Sequence, residues 1–284
     1  MRSLQALPLY DGGTALNMTI QMRSEPDGFD VEKLPERIWM SNLFGRATAM
    51  LVLKEELRTA YEFVDRELRV VADIQRSLLP QSIPVIPNLS LAAHYRTSHW
   101  AGGDYYDFFE LPGHKWGLLI ADVSGHGTPA AVMMAIIHAI AHGHPGHPEP
   151  PARLLEHVND RLTNHYTLER NEAFVTAFYG IYDPARRMLH YASAGHNPPR
   201  LKRCRDGSVH AIDQVGGLPL GVLPGQSFEE ATIRLAPGDQ LLFYTDGITE
   251  AINPAGQQFG VERLDGAIGC CGHDAEQLIA DILR

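Results

Sequence analysis

The sequence predicts an α+β protein built from antiparallel sheets, with a long helix near its N-terminus. Two apolar runs, 105–111 and 116–121, flank a Pro112-Gly113 turn, which is the pattern of a β-hairpin. Two helical stretches follow, and after them come short strand-like runs separated by turn residues. Strands that are grouped in this way, without alternating with helices, favour antiparallel sheets over a doubly wound parallel sheet.

The composition is that of an ordinary globular protein. The chain has 284 residues, of which 44% are hydrophobic and 20% charged, and its net charge is −10. An acidic balance argues against binding to nucleic acid or to an anionic membrane surface. Cys270 and Cys271 are adjacent and Cys204 is distant, so no disulfide framework is expected. No apolar run is long enough for a membrane span and residues 1–20 lack a signal-peptide pattern, so we expect a cytoplasmic protein.

Residues 1–45 are too few to form a core of their own. Residues 16–22 alternate as a strand does, 23–32 form a polar turn region, and a helix begins at Leu34. One strand and one helix bury little apolar surface, so this segment is expected to be the tail of a domain whose beginning is absent. The arrangement resembles the closing strand and terminal helix of a GAF sensor domain.

Residues 46–79 carry a heptad pattern. Apolar residues repeat every seven positions, at Met50, Leu57, Val64, Val71 and Leu78. Leu53, Ala60 and Ile74 occupy the companion positions, and Glu67 is the one polar exception. The pattern predicts a coiled-coil linker helix and a homodimer formed through it. An amphipathic helix lying on the domain is the alternative interpretation.

Three prolines end this helix and mark the start of a domain over residues 80–284. Residues 89–96 are predicted to form its opening strand, and residues 260–284 a helical end. Helices are predicted at 129–142 and 151–168. The strands after the helices are predicted at 173–182, 187–194, 200–204, 209–213, 229–235 and 240–244.

Three aspartates lie where an apolar run meets a glycine-rich turn. Asp104 begins the first run of the hairpin, Asp122 ends the second, and Asp246 follows the run 240–244. Matched strands would place Asp104 beside Asp122, and a divalent cation would relieve their repulsion, since such ions take carboxylate and carbonyl oxygens. The alternatives are a helix cap at Asp122 and a plain Asp-Gly turn at Asp246.

Two histidines, His138 and His142, lie four residues apart on the predicted helix 129–142. This spacing can bind zinc, but no Glu lies between them as a metalloprotease helix requires. Glycines and prolines follow directly, so a solvated helix end and loop is the favoured interpretation.

Five short motifs occur in a fixed order, and together they are specific although each is weak. They are Gly-Gly-Asp-Tyr-Tyr-Asp at 102–107, Asp-Val-Ser-Gly-His-Gly at 122–127, Ala-Gly-His-Asn-Pro at 194–198, Gly-Leu-Pro-Leu-Gly at 217–221 and Tyr-Thr-Asp-Gly-Ile-Thr-Glu at 244–250. From about residue 70 to 284, the chain resembles the SpoIIE/RsbU branch of the PPM metal-dependent Ser/Thr protein phosphatases. The resemblance implies an antiparallel β-sandwich flanked by helices, with its metals at one end.

The resemblance also implies roles for single residues. Asp122 would bridge two Mn²⁺ or Mg²⁺ ions, the carbonyl of Val123 would bind one of them and Asp246 the other. Asp104 would hold a metal or its water. Water shared by two cations becomes a hydroxide nucleophile near neutral pH and attacks phosphorus in line. His126 would protonate the leaving seryl oxygen, the alternative being a loop residue that faces solvent.

The match departs from the family pattern in two ways. The family usually ends with a further Asp-bearing motif and a last strand, whereas residues 281–284 are predicted to lie in the helix before them, so we expect a fragment. No arginine before Asp104 is an obvious ligand for the substrate phosphate, and Arg96 is the candidate. The leading hypothesis is a phosphatase acting on phosphoserine or phosphothreonine in a STAS-type anti-sigma-factor antagonist. A catalytically incomplete regulator and a small-phosphoester hydrolase are the alternatives.

Overall fold

A computed structural model describes residues 2–11, 14–97, 100–165, 174–269 and 274–283. The chain divides into two compact units, residues 1–67 and 68–284. The domain boundaries that the sequence suggests, at residues 46 and 80, stay predictions. No helix within the described ranges is long and apolar enough to cross a membrane.

The first unit contains a β-hairpin and much of a long helix. Strand β1 (Ser3–Asp11) pairs antiparallel with β2 (Thr14–Arg23), and helix α1 runs from Leu34 to Leu78. The side chain of Arg37 donates a hydrogen bond of 2.8 Å to Gln5 Oε1, which fastens the helix to the hairpin. Strand β1 was not predicted, because it contains Pro8, which cannot donate a ladder hydrogen bond and therefore weakens the strand signal.

The second unit contains two antiparallel sheets. The larger has the strand order β3-β4-β5-β6-β9, and the smaller has the order β10-β7-β8. The strands are β3 (Tyr105–Leu111), β4 (Lys115–Val123), β5 (Val175–Asp183), β6 (Met188–Ala194), β7 (Arg200–Lys202), β8 (Val209–Ala211), β9 (Glu230–Arg234) and β10 (Gln240–Leu242). The predicted hairpin is confirmed, since β3 and β4 pair in register from Tyr105 with Ala121 to Leu111 with Lys115.

The two sheets pack face to face between layers of helix. Helices α2 (Thr128–His142) and α3 (Pro151–His165) lie on the outer face of the larger sheet, where their apolar residues share a core with β4 and β5. Phe178 and Tyr191 of the larger sheet pack against Leu201 of the smaller one and against Phe243, which directly follows β10. Short helix α4 (Asp246–Thr249) follows β10, and α5 (Gly260–Gly269) and α6 (Ala275–Ile282) complete the layers. The predicted α+β sandwich flanked by helices is confirmed.

The predicted opening strand over residues 89–96 is wrong, because this segment pairs with no strand among the described residues. Its alternation has another cause: Leu89 and Leu91 pack against a buried cluster that contains Leu118 and Tyr182. The alternating pattern of this segment therefore results from side-chain packing and not from hydrogen bonds to a neighbouring strand. Parts of two predicted helices, 166–168 and 270–273, lie outside the described residues.

Candidate active site

The register of the first hairpin places two aspartates opposite each other. Tyr105 pairs with Ala121, so Asp104, one residue before β3, lies beside Asp122 near the end of β4. Both carboxyl groups are half-buried, and Asp122 is also paired with Thr176 on β5. Their positions in the hairpin leave both side chains at one end of the larger sheet.

The third aspartate comes from the other sheet. Asp246 follows β10 and opens α4, and its charge acts on both Asp104 and Asp122. Asp122 lies close to both of the others, because the carboxyl groups of Asp104 and Asp246 both act on its own. Residues that are far apart in the sequence are therefore gathered at one end of the sandwich.

The electrostatics of this cluster are unfavourable without a cation. Burial, followed by the charges of Asp104 and Asp246, raises the pKa of Asp122 to about 8. Burial also raises the pKa of Asp104, although a hydrogen bond of 3.2 Å from the hydroxyl of Thr245 opposes this effect. Like charges in a poorly solvated place are each costly, so a proton or a hard divalent cation is needed to neutralise them.

The donor set suits a pair of cations better than a single one. No triplet of ligand atoms from the three aspartates lies within 4.8 Å of one another, a spacing that the described part of the chain shows only at Asp107, His138 and His142. Two cations in a shared site lie about 3.5–4 Å apart, so their outer ligands are held further apart than the ligands of one ion. A central Asp122 with Asp104 and Asp246 on either side fits that geometry.

The backbone between the two hairpin ends is closely packed. The amide of Val123 donates a hydrogen bond of 3.3 Å to the carbonyl of Gly103. A Cβ atom added to Gly103 would lie 2.6 Å from the carbonyl oxygen of Val123, so no other residue fits at this place without a shift. The glycine therefore fixes the position of Val123, whose carbonyl the motif suggests as a metal ligand.

His126 lies in the loop that joins β4 to α2. Gly125 and Gly127 on either side have positive φ angles of 93° and 76°, which glycine adopts without strain. Ser124 holds the base of the loop, since its hydroxyl accepts a hydrogen bond of 2.8 Å from the amide of Phe174. The His126 side chain is exposed at the tip of this loop. Its role as an acid rests on the motif alone.

Tyr95, which the sequence analysis did not assign, lies near the aspartates. The hydroxyl of Tyr95 is buried without a hydrogen-bond partner among the described residues. Burial and the charge of Asp104 raise the pKa of Tyr95 to about 12, which keeps the phenol neutral. Arg96, the suggested phosphate ligand, lines a shallow pocket together with Tyr95 and Arg76. Only the tertiary structure brings Arg76, at the end of α1, into this group.

The last turns of α1 hold the loop that leads to Asp104. The guanidinium of Arg69 lies 4.4 Å from the ring centre of Trp100, and Ala72 packs against Ala101. Gln75 makes two hydrogen bonds to the backbone of Gly102, accepting from its amide at 3.1 Å and donating to its carbonyl. Three consecutive loop residues are thus tied to successive turns of one helix.

Solved structures that resemble this chain include a PP2C domain and a protein with RsbU and RsbW domains. The chain is similar to the SiaA-PP2C domain of Pseudomonas aeruginosa, with a TM-score of 0.61 and 22% identity over 79% of this chain and 88% of that one. It is also similar to the RsbU and RsbW domains of Rv1364c from Mycobacterium tuberculosis, with a TM-score of 0.52 and 27% identity over 66% and 51% of the two chains. These similarities show that the chain has the PP2C fold.

The chain belongs to the SpoIIE family, since the family model described as Stage II sporulation protein E (SpoIIE) matches residues 112–284. It is 27% identical over 266 residues to Protein IcfG of Synechocystis, covering 83% of this chain and 42% of the relative. It is 28% identical over 199 residues to phosphoserine phosphatase RsbU of Bacillus subtilis, covering 69% and 57%. The chain thus spans about half the length of these relatives. The predicted membership of the metal-dependent SpoIIE/RsbU branch is confirmed.

Proposed function

We propose that this chain carries the catalytic domain of a metal-dependent phosphatase that acts on phosphoserine or phosphothreonine in a partner protein. The observation that carries the proposal is the convergence of Asp104, Asp122 and Asp246 at one end of a SpoIIE-family sandwich. The raised pKa of Asp122 supports it, because a site where three charged carboxylates repel each other is stabilised by a cation bound between them.

In this proposal each acidic residue has a separate task. Asp122 would bridge two Mn²⁺ or Mg²⁺ ions, Asp246 and the carbonyl of Val123 would complete their protein ligands, and Asp104 would hold a metal or its water. When bound, the ions would activate a shared water for in-line attack on phosphorus and offset the charge of the phosphoryl oxygens. His126 would donate a proton to the leaving seryl oxygen, for which its exposed position in the loop leaves access.

The proposed substrate is a phosphorylated antagonist of an anti-sigma factor, of the STAS type. Two considerations support a protein substrate. The relatives include proteins named phosphoserine phosphatases, and the site lies at an open end of the sandwich where Asp246 and His126 are exposed. Helix α1 would pass a signal from an upstream sensor, because its last turns hold the loop before Asp104.

The proposal is tested by hydrolysis of p-nitrophenyl phosphate and of a phosphorylated STAS protein, each with and without Mn²⁺. We expect Mn²⁺-dependent turnover, and we expect Asp122→Asn to lower kcat/KM at least about 100-fold, since even the loss of groups that merely orient metal ligands costs 10–100-fold. Asp160→Asn, at an exposed position on α3, is the matched control and should retain full activity.

Three results would overturn parts of the proposal. Unchanged turnover in Asp122→Asn would refute the bridging role. A wild-type protein that binds the phosphoprotein but hydrolyses no phosphoester would indicate a regulator without catalysis. Preference for small phosphates over the phosphoprotein in competition would indicate a small-phosphoester hydrolase.

A further inference from the structure

A second cluster of metal-ligating side chains lies away from the three aspartates. It consists of Asp107 on β3 with His138 and His142 on α2, and one donor atom from each lies within 4.8 Å of the other two. The Oδ2 atom of Asp107 is 2.7 Å from Nε2 of His142 and 3.8 Å from Nδ1 of His138. His142 is exposed at the helix end, as the sequence analysis expects, whereas His138 is half-buried beside Asp107.

The fold brings these residues together by simple periodicities. Asp107 shares one face of β3 with Tyr105 and Phe109, because alternate residues of a strand point the same way. His138 and His142 are four residues apart and share one face of α2. Phe109 and His142 are in ring contact, with centroids 5.2 Å apart. At about 3.4 Å per residue, Asp107 lies roughly 10 Å along the strand from Asp104, so this cluster is separate from the candidate active site.

Neighbouring groups hold the carboxylate in a fixed orientation. The amide of Phe108 donates a hydrogen bond of 2.7 Å to Oδ1 of Asp107, which leaves Oδ2 directed at the histidines. The hydroxyl of Tyr105 donates to Oδ2 at 2.5 Å and lies 3.1 Å from Nδ1 of His138. Such outer contacts are what orient ligands in protein metal sites. Asp107 is only 7% exposed, whereas His142 reaches solvent, so the cluster is open on one side.

The donor set differs in kind from that of the three aspartates. Two imidazoles with one carboxylate suit borderline metals such as Zn²⁺, whereas an all-oxygen set suits Mg²⁺ or Mn²⁺. With Zn–N and Zn–O bonds of about 2.0–2.1 Å, neighbouring ligands of a tetrahedral ion lie about 3.4 Å apart. The distances of 2.7 and 3.8 Å at Asp107 bracket this value, so its carboxylate already lies near ligand spacing from both histidines.

We propose that Asp107, His138 and His142 form a Zn²⁺ site, with its fourth position open to solvent. The ion would join β3 to α2. Helix α2 begins at Thr128, directly after the loop that follows Asp122, so the ion would steady the segment that carries this loop. The site is independent of the proposed phosphatase activity, because it shares no ligand with the three aspartates.

The test measures zinc bound to the whole tag-free chain in a buffer with saturating Mg²⁺, which occupies the oxygen site. We expect about one equivalent of Zn²⁺ after desalting, and the absorption spectrum of tetrahedral Co²⁺ when cobalt replaces zinc. The variant His138→Gln/His142→Gln should lower Zn²⁺ affinity at least about 100-fold and abolish the cobalt spectrum. His147→Gln, at an exposed histidine in the loop beyond α2, is the matched control and should bind as the wild type does.

A second variant guards against a folding defect. His142→Gln alone changes an exposed side chain, so circular dichroism should be unchanged while Zn²⁺ affinity falls. Added Zn²⁺ should also raise the Tm of the wild type and of His147→Gln but not of the double variant, since an ion that binds only the folded state stabilises it. A wild-type chain that retains no zinc, or equal retention by wild type and the double variant, would show that the cluster is only a hydrogen-bonded network.

Discussion

His196 is almost completely buried beside the strand that pairs with Asp122. Its Nδ1 atom lies 2.9 Å from the hydroxyl of Thr176, and Thr176 faces Asp122 across the ladder between β4 and β5. Burial lowers the pKa of His196 to about 4, with a small opposing effect from the carbonyl of Tyr244. The histidine of the Ala-Gly-His-Asn-Pro motif is therefore a neutral support for the end of the sheet that carries the aspartates.

This burial predicts a loss of stability in acid. The unfolded chain takes up a proton on His196 near pH 6.5, whereas the folded chain does so only near pH 4. The contribution is therefore fully present above pH 6.5 and falls as the pH drops toward 4, by about 3 kcal/mol in total. Chemical unfolding at several pH values should show a smaller decrease in free energy between pH 6.5 and 4 for His196→Asn than for the wild type.

A control separates this effect from the other titrating groups. His210→Asn changes an exposed histidine, so its unfolding free energy should follow the pH dependence of the wild type. Comparing each variant with the wild type cancels the contributions of the aspartates, whose raised pKa values act in the opposite direction. Identical pH slopes for His196→Asn and the wild type would contradict the assignment.

At the scale of secondary-structure elements, the contact between α1 and the loop before β3 is the most consequential. Gln75 is 3% exposed and satisfies both backbone groups of Gly102. Gly102 is only two residues from Asp104, so a displacement of the helix end would reach that carboxylate through a short segment. This gives the proposed signalling helix a specific point of contact.

We expect Gln75→Ala to weaken Mn²⁺ binding about tenfold and to lower the unfolding free energy by about 1–3 kcal/mol, because the variant loses two hydrogen bonds and leaves buried backbone groups unpaired. Titration with Mn²⁺ followed by activity or calorimetry measures the first effect. Gln81→Ala is the matched control: Gln81 also bonds to backbone carbonyls at this helix end, at 2.8 Å to Leu79, but does not touch the loop. Equal Mn²⁺ affinity in Gln75→Ala and wild type would argue against coupling at this contact.

At the scale of the whole molecule, the long helix leaves its heptad residues from Met50 to Val64 uncovered, whereas Val71 and Leu78 are half-buried. Leu53, Leu57 and Val64 are 64%, 54% and 51% exposed, which is unusual for aliphatic side chains that recur on one helix face. The heptad spacing predicts a second copy of the same helix as the partner, because a pair of such helices would bury these apolar residues in a coiled coil. The predicted coiled-coil homodimer stays a prediction.

Sedimentation velocity of the chain at tens of micromolar should show a dimer. Leu57→Glu/Val64→Glu should dissociate it, because charges placed in an apolar seam are costly to bury. Leu51→Glu, at an equally exposed leucine outside the heptad positions, should leave the dimer intact. A wild-type chain that sediments as a monomer at the highest attainable concentration would refute the seam.

Signals that depend on near neighbours in the chain were sufficient to predict most elements. The alternation of apolar residues and the Pro-Gly turn located the first hairpin, and the positions of Asp104 and Asp122 in it followed from matched strand lengths. The same logic failed at residues 89–96, since alternation arises whenever one face of an extended segment is buried, with or without a paired strand. Strand β1 was missed because Pro8, which is unfavourable in a strand, weakened the strand pattern of the residues around it.

Local periodicity and short motifs were sufficient to predict the class of fold, most of its elements and the choice of the three aspartates. The meetings of distant side chains became visible only in the folded chain: Thr245 with Asp104, His196 with Thr176, and Asp107 with the histidines of α2. The physical reason is that such contacts depend on how layers pack. Packing is a property of the assembled sandwich, and no stretch of the chain encodes it alone.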